Sequence, residues 1–465
     1  MLVIISDLHL TDGSSGTTIG LRAFEIFKER ISEMAYKASW RLDEKGNRFY
    51  QPVEAVDIIL LGDILDVIRS EKWIHSAVRP WTDPQSPEFA AMVAQINEDI
   101  LTHNREAFKL LRDLSRSRKG KSTKGMMTLP LSTEKKLPMM GFQVEGGNVP
   151  RSSVKVRIHY MVGNHDWFYH LQGEAFDDIR KKVVDALGLA NDPCKPFPHT
   201  LEEYPELAEI CARHGVYVRH GDIFDSINYD AQKGRDASTL GDAIVVELLN
   251  RFPAEIKKRL SGQLSPACLQ GLLEIDNVRP LMFIPIWING LLERTCPEPT
   301  LKQQVKEIWN ELAGDFMKLD FIRRQDTIMP FETVDLLEMG LFISQKTSFR
   351  TISNIMGKIA GLKRSAGETY YPEALKEPAF QERTADFIVY GHTHHQEVVP
   401  LDATEDAEQL YFNSGTWRQV FELTRANRKA QMFLGFQVMT YIGFFKNGER
   451  SGRKFEIWNG SLGDK

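Results

Sequence analysis

Five short apolar runs stand out along the chain, and each stops at a polar cluster. Leu2–Ile5 stops at Ser6-Asp7, Val56–Leu61 at Gly62-Asp63 and Val156–Val162 at Gly163-Asn164. Val216–Arg219 stops at His220-Gly221, and Phe387–Tyr390 at Gly391-His392. Apolar runs of this length, bounded by glycine and polar residues, predict buried strands. In open α/β sheets, ligands bind just beyond the carboxyl ends of the strands. Loops there carry function because the sheet behind them is rigid. The repetition therefore predicts five polar clusters converging on one place.

The intervals between these runs read mostly as helix. Leu21–Tyr36 and Phe89–Leu114 carry apolar residues near helical spacing. Arg116–Gly125 (RSRKGKSTKG) reads as a basic loop, with a contact to substrate phosphate as the alternative. The long interval Ser226–Glu382 holds helix-like segments at Leu240–Phe252, Pro253–Leu260, Leu301–Leu319 and Thr333–Leu341. It reads as a helical insertion, a cap or subdomain over the site, with Gly357–Thr369 as a connection. The tail returns to strands at Gln409–Asn413, Phe433–Ile442 and Phe455–Trp458, with Lys446-Asn447-Gly448 as a hairpin turn. A mixed α/β fold follows, with a second sheet packed on the first. The expected organisation is a core over 1–225, an insertion over 226–382 and the rest of the core over 383–465. No repeat of fixed period is present.

Composition narrows the class. The chain has 465 residues, 42% of them hydrophobic and 26% charged, the profile of an ordinary globular protein with room for a large core. A formal charge of -5 gives no general pull toward nucleic acid or anionic membrane. Cys194, Cys211, Cys268 and Cys296 lie far apart, which argues against both a disulfide framework and a zinc ribbon. MLVIISDLHL lacks the features of a signal peptide. The longest apolar stretch, Leu281–Leu292, is interrupted by Pro285 and Asn289 and is shorter than the roughly 18 residues of a membrane span. A cytoplasmic protein without a transmembrane segment is expected.

The polar clusters are Asp7-x-His9, Gly62-Asp63-Ile64-Leu65-Asp66, Gly163-Asn164-His165-Asp166, His220-Gly221-Asp222 and Gly391-His392-Thr393-His394. Alone, most of them read as turns, caps or hydrogen-bonded histidines. Together, each at a strand end, they read as one metal-binding set. Phosphate esters repel anionic nucleophiles. Two cations about 3.5–4 Å apart neutralise that charge and generate a hydroxide nucleophile near neutral pH. A carboxylate can bridge two cations, and imidazoles and an amide oxygen complete the coordination without added charge. Mixed O/N ligation without thiolate favours manganese, iron or zinc.

The order DxH, GDxxD, GNH(D/E), H, GHxH resembles the calcineurin-like metallophosphoesterase family over Asp7 to His394, although the insertions between the motifs resemble nothing familiar. The resemblance implies two mixed β-sheets packed as a sandwich and flanked by helices. It also implies two divalent ions, manganese first and iron or zinc as alternatives. Asp7, His9 and His394 would hold one ion, Asp63 would bridge both, and Asn164, His220 and His392 would complete the other. His165 would protonate the leaving group and Asp66 would orient it, giving hydrolysis of a phosphomonoester or phosphodiester by a metal-bound hydroxide. Asp166 stands where many relatives carry Glu and reads as a structural hydrogen-bond partner. Asp222 reads as a residue orienting a ligand ring, and His395 as structural. Arg69 and Arg418 read either as phosphate contacts or as ion-paired arginines.

Substrate class stays open at this level. A nucleotide or nucleic-acid phosphodiester would use Arg116–Gly125 as an electrostatic contact. A lipid-linked or nucleotide-sugar pyrophosphate is the alternative, because the SDLHL start and helical cap are similar to lipid A pyrophosphatases; Met282–Leu292 reads first as a core helix, with the lining of an acyl pocket as its alternative. Those relatives usually carry Arg at the position of His165. A phosphoprotein is disfavoured because GDILDVI lacks the Arg-Gly that follows GDxxD in protein phosphatases. A catalytically silent scaffold of the same fold is the non-enzyme reading, and the complete ligand set argues against it. The motifs leave the oligomeric state open.

Overall fold

The computed structural model describes residues 1–115, 127–131, 151–278, 284–325, 369–405, 407–424, 432–446 and 448–463. Its strands in chain order are β1 (Leu2–Ile5), β2 (Trp40–Leu42), β3 (Arg48–Tyr50), β4 (Ala55–Leu61), β5 (Thr128–Pro130), β6 (Arg151–Ser153) and β7 (Lys155–Met161). They continue with β8 (Val216–Val218), β9 (Phe387–Tyr390), β10 (Glu397–Ala403), β11 (Glu408–Asn413), β12 (Trp417–Leu423), β13 (Phe433–Phe444) and β14 (Phe455–Gly463). One sheet runs β12-β13-β1-β4-β7 with β14 on the free side of β13, and a second runs β10-β11-β9-β8. Pairs β1–β4 and β4–β7 are parallel in the first sheet, as are β8–β9 and β9–β11 in the second. The tail strands add antiparallel pairs, so both sheets are mixed.

Strand periodicity explains the layering. Leu2, Ile4, Ile59, Leu61 and Met161 point from the first sheet to the second and pack with Val216, Val218, Phe387, Val389 and Phe412. The alternate residues Val3, Ile5, Ile58, Leu60, Ile158 and Tyr160 face helices on the outer side. Parallel strands buried on both faces read as unbroken apolar runs, which is why the five runs are visible in the sequence. Each such side chain contributes about 1.5–3 kcal/mol by leaving water. The result is the expected sandwich flanked by helices.

Helix α1 (Leu21–Ala38) buries Phe24, Phe27, Ile31, Met34 and Ala35, with Phe27 edge-on to Trp417 at 5.0 Å. The stretch expected as one helix over Phe89–Leu114 is two, α2 (Pro87–His103) and α3 (Arg105–Ser115). Asn104 divides them because its side-chain amide donates to Ile100 O at 2.9 Å and Thr11 O at 2.8 Å, and its backbone leaves the helical region. Two further core helices are α4 (Glu174–Leu187) and α5 (Pro205–Ala212).

In the interval 226–382, an irregular stretch over 226–239 precedes a series of helices among the described residues. Leu240–Ile244 and Arg251–Leu260 are joined by a π turn over Val245–Asn250, so the two segments expected there form one run. The widened turn just before Pro253 absorbs its missing backbone donor. Helices over Pro266–Leu273, Ile284–Thr295, Pro299–Phe316 and Asp320–Gln325 follow. The expected helix at Thr333–Leu341, the basic loop Arg116–Gly125 and all of Gly357–Thr369 except Thr369 lie outside the described residues. Ile284, Ile286, Trp287, Ile288, Leu291 and Leu292 are buried, with Trp287 against Phe421 of β12 at 4.5 Å. The described part of Met282–Leu292 is therefore packed as a core helix, the first reading of that segment, and not as the lining of an acyl pocket. The β13–β14 connection is longer than a two-residue turn: Phe445 N donates to Lys454 O at 2.9 Å, a 3₁₀ turn spans Glu449–Gly452, and Asn447 lies outside the described residues. Among the described residues, no helix is long and apolar enough to cross a membrane.

Polar contacts fasten the insertion to the core. Arg79 pairs with Glu247 at 2.6 Å, Thr17 donates to Glu274 at 2.9 Å, and Asn250 donates to Ile68 O at 2.8 Å. His170 is clamped between Asp236 of the insertion at 2.6 Å and Glu203 of the core at 3.3 Å. Burial pulls the His170 pKa down, but the two carboxylates outweigh it and hold it at about 9, above the ordinary 6.5. A value raised on folding gives stability that is complete below pH 6.5 and lost as pH rises through 9. Both carboxylates are partly exposed, so screening leaves about 1–2 kcal/mol. Unfolding measured across this window should show wild-type stability falling by that amount, and His170→Gln should flatten the fall. An unchanged slope in the variant would remove the clamp from the account.

Candidate metal centre

The loops after β1, β4 and β7 of one sheet and after β8 and β9 of the other meet at the carboxyl ends of their strands. The β1 and β4 loops pair with each other: Asp7 N donates to Gly62 O at 3.1 Å, His9 N to Asp63 O at 2.9 Å, and Leu10 N to Ile64 O at 2.9 Å. The tail closes the third side, with Trp417 N and Thr416 Oγ1 donating to Asp7 O at 3.1 and 2.7 Å. Among the described residues eight non-glycine positions have positive φ, and five of them are Asp7, His9, Asp63, His392 and His394. Such a backbone costs about 1–3 kcal/mol per residue and persists only where surrounding structure enforces it, characteristically at functional sites.

All seven expected ligands come together. Asp7 Oδ1 lies 3.3 Å from His394 Nε2 and 3.9 Å from His9 Nε2, and these two nitrogens are 2.9 Å apart. On the other side, Asp63 Oδ2 lies 3.3 Å from His220 Nε2, and Asn164 Oδ1 lies 3.3 Å from that nitrogen and 2.9 Å from His392 Nδ1. Asp63 Oδ2 is also 3.7 Å from His9 Nε2, which places one carboxylate oxygen between the two groups. Asp7, His9 and His394 form one cluster able to hold a metal ion, and Asp63, His220 and His392 another. A third, overlapping cluster is His9, Asp63 and His165.

The donor atoms themselves ask for positive charge. His220 Nδ1 lies 2.8 Å from Leu61 O, and a carbonyl only accepts, so Nδ1 carries the hydrogen. In the neutral ring, Nε2 then presents a lone pair to Asp63 and Asn164, which are acceptors too. His9 repeats the pattern, with Nδ1 on Asp66 Oδ2 at 2.8 Å and Nε2 facing His394. Asp7 Oδ1 is buried with no hydrogen-bond donor. Converging acceptors repel unless a proton or a cation lies among them. Burial pushes the Asp7 carboxyl up to about 6. Burial opposes charge on His220 as well, yet Asp63 holds its pKa well above the usual range. The groups contain no cysteine, so a metal ion held there would be ligated by oxygen and nitrogen alone.

Asp66 is fully buried and ties two imidazoles together. Oδ2 takes His9 Nδ1, and Oδ1 takes His165 Nδ1 at 2.8 Å and Arg69 N at 3.1 Å. The sequence reading gave Asp66 only the second imidazole. His165 N donates to Asp63 Oδ1 at 2.7 Å, fixing the ring beside both groups. Burial works against a charged His165, but Asp66 and Asp63 prevail and raise it to about 9. Nε2 stands on the far side of the ring from Asp66, and the side chain is 13% exposed, against 9% for His392 and for His394.

The other singled-out residues sort clearly. Asp166 is buried and accepts from Gly163 N, Ile64 N and Tyr160 Oη at 2.6, 2.8 and 2.7 Å, a structural role. Asp222 accepts from His199 at 3.0 Å and pairs with Arg235, so it does not hold His220, whose second nitrogen is on Leu61 O. His395 is exposed. Arg418 is ion-paired with Asp276 of the insertion at 2.6 Å, and Arg69 is buried beside the same carboxylate at 4.0 Å. Missing from the sequence reading is Asp225, which meets His392 Nε2 at 3.2 Å. Its only signal was an acidic residue five positions after His220.

Glycines at the strand ends make this convergence sterically feasible. A Cβ on Gly163 would lie 2.4 Å from Asp63 Oδ1 and 2.6 Å from His220 Nε2. Gly163→Ala should therefore destabilise the fold by about 1–3 kcal/mol and reduce bound metal, read by thermal unfolding and by metal content after dialysis. Wild-type values for both would show that the loops are less tightly fixed than their geometry. Neither models of known protein families nor curated protein sequences give a match to the chain.

Proposed function

We propose that this protein hydrolyses a phosphomonoester or phosphodiester with two divalent cations, in the manner of the calcineurin-like metallophosphoesterases, which its motif order resembles. The observation that carries the reading is Asp63 Oδ2, set between two ligand groups, 3.7 Å from His9 Nε2 and 3.3 Å from His220 Nε2. Asp7, His9 and His394 would hold one cation, Asn164, His220 and His392 the other, and Asp63 both, with manganese first and iron or zinc as alternatives. When bound, such a pair neutralises phosphate charge and acidifies water.

The remaining steps belong to side chains. His165 delivers a proton from Nε2 to the leaving oxygen, and Asp66 on Nδ1 keeps the ring oriented and its charge stabilised. Because Asp66 also holds His9, the position of the acid is fixed relative to one cation site. Depth excludes bulk water from the ligands: Asp7, His9, Asp63 and His220 are at most 1% exposed.

Two measurements test the reading. Chelation should abolish turnover of aryl phosphate or bis-aryl phosphate, and added Mn²⁺ should restore it. A folded protein carrying two Mn²⁺ and inactive on both ester classes would sink it. His165→Ala should keep both metals while kcat drops about 10²–10⁴-fold, the usual range for losing a general acid. Parallel loss of metal would reassign His165 as a ligand.

A further inference from the structure

We infer that Asp225 and Asn228, at the entrance to the insertion, are positioning residues for the second cation site. This rests on the two-cation reading above. Three hydrogen bonds link four side chains. His392 Nε2 meets Asp225 Oδ2 at 3.2 Å, Asn228 Nδ2 donates to Asp225 Oδ2 at 2.7 Å, and Asn164 Nδ2 donates to Asn228 Oδ1 at 3.3 Å. The chain of bonds brings Asn164 Oδ1 and His392 Nδ1 face to face, 2.9 Å apart.

The carboxylate sets the polarity of the whole chain of bonds. Asp225 only accepts, so His392 carries its hydrogen on Nε2 and turns the lone pair of Nδ1 inward. Asn228 must give its amide hydrogens to Asp225, which leaves its oxygen to receive Asn164 Nδ2. Asn164 is then held with Oδ1, not nitrogen, toward His392 and His220. Two of the ligand atoms of this site, His392 Nδ1 and Asn164 Oδ1, are thus oriented from outside by Asp225 and Asn228. Outer partners of this kind raise metal affinity by fixing tautomer and rotamer.

The backbone builds the device locally. Asp225 O accepts from Asn228 N and Tyr229 N, each at 2.9 Å, so residues 225–228 form a tight turn presenting both side chains. Gly241 N donates to Ile227 O at 2.8 Å, and a Cβ on Gly241 would lie 2.1 Å from Asn228 Oδ1. The first helix of the insertion therefore presses on this turn. The other end of the insertion reaches the same ligand, with Tyr370 stacked on His392 at 6.1 Å and 13°. The first site has a different support, since His9 is held by Asp66.

That asymmetry supplies the test. The full-length protein is titrated with Mn²⁺ alone by calorimetry, with electron paramagnetic resonance separating a coupled pair from isolated ions. Wild type should take up two Mn²⁺ as a coupled pair. Asp225→Ala and Asn228→Ala should bind the first with wild-type affinity and the second about 10–100-fold more weakly, with an isolated-ion spectrum at one equivalent. Circular dichroism reports folding of each variant, and the smaller Asn228→Ala change keeps the test open if Asp225→Ala unfolds. Two ions bound with wild-type affinities, or equal weakening of both, would overturn the inference alone. A wild type that takes up fewer than two Mn²⁺ would overturn the two-cation reading with it.

Discussion

A single carboxylate, Asp63, sets the terms for the rest of the molecule. It is buried among imidazoles from three other loops, and burial alone would drive it to the neutral acid. His220 and His165 reverse that and hold its carboxyl well below the ordinary value. A buried anion is stable only when its partners are fixed. The requirement extends outward to the carbonyl of Leu61 on His220 and to Asp66 on His165.

Fixing those partners takes both sheets. Five ligand residues sit in a left-handed backbone that an isolated loop would relax. They stay there because the β1 and β4 loops bond to one another and the tail bonds to Asp7. The apolar layer between the sheets supplies the stability that this strain consumes. The same logic accounts for Trp417, fully buried, with Nε1 on Thr440 O at 2.6 Å and its ring against Phe24 and Phe27.

The sequence revealed what is encoded locally. The five strands and their polar ends were legible because parallel strands covered on both faces leave continuous apolar runs, and because ligand residues cluster within each loop. The break at Asn104 was not, since it depends on Thr11, which is remote in sequence. Asp225 escaped notice for the same reason: its partner His392 is 167 positions away. Asp222, two positions from His220, looked the better candidate to support a ligand ring, yet its carboxylate turns to His199 and Arg235. Spacing along the chain identifies groups that share a loop, whereas the partners that orient them come from other loops.

The pairing of β1 with β13 bears on the order in which the protein takes shape. Leu2 lies opposite Phe444, and Asp7 depends on Thr416 and Trp417, so residues 2–7 are completed by residues 416–444, more than four hundred positions later. During synthesis, the strand that begins the first sheet must wait for more than four hundred residues before its outer neighbour exists. Contacts of such separation are slow to form, because loop closure precedes any gain from them. In the interval, β1 can pair only with β4, leaving an apolar strand edge exposed. A nascent chain of this design carries that edge without its native neighbour until β13 arrives.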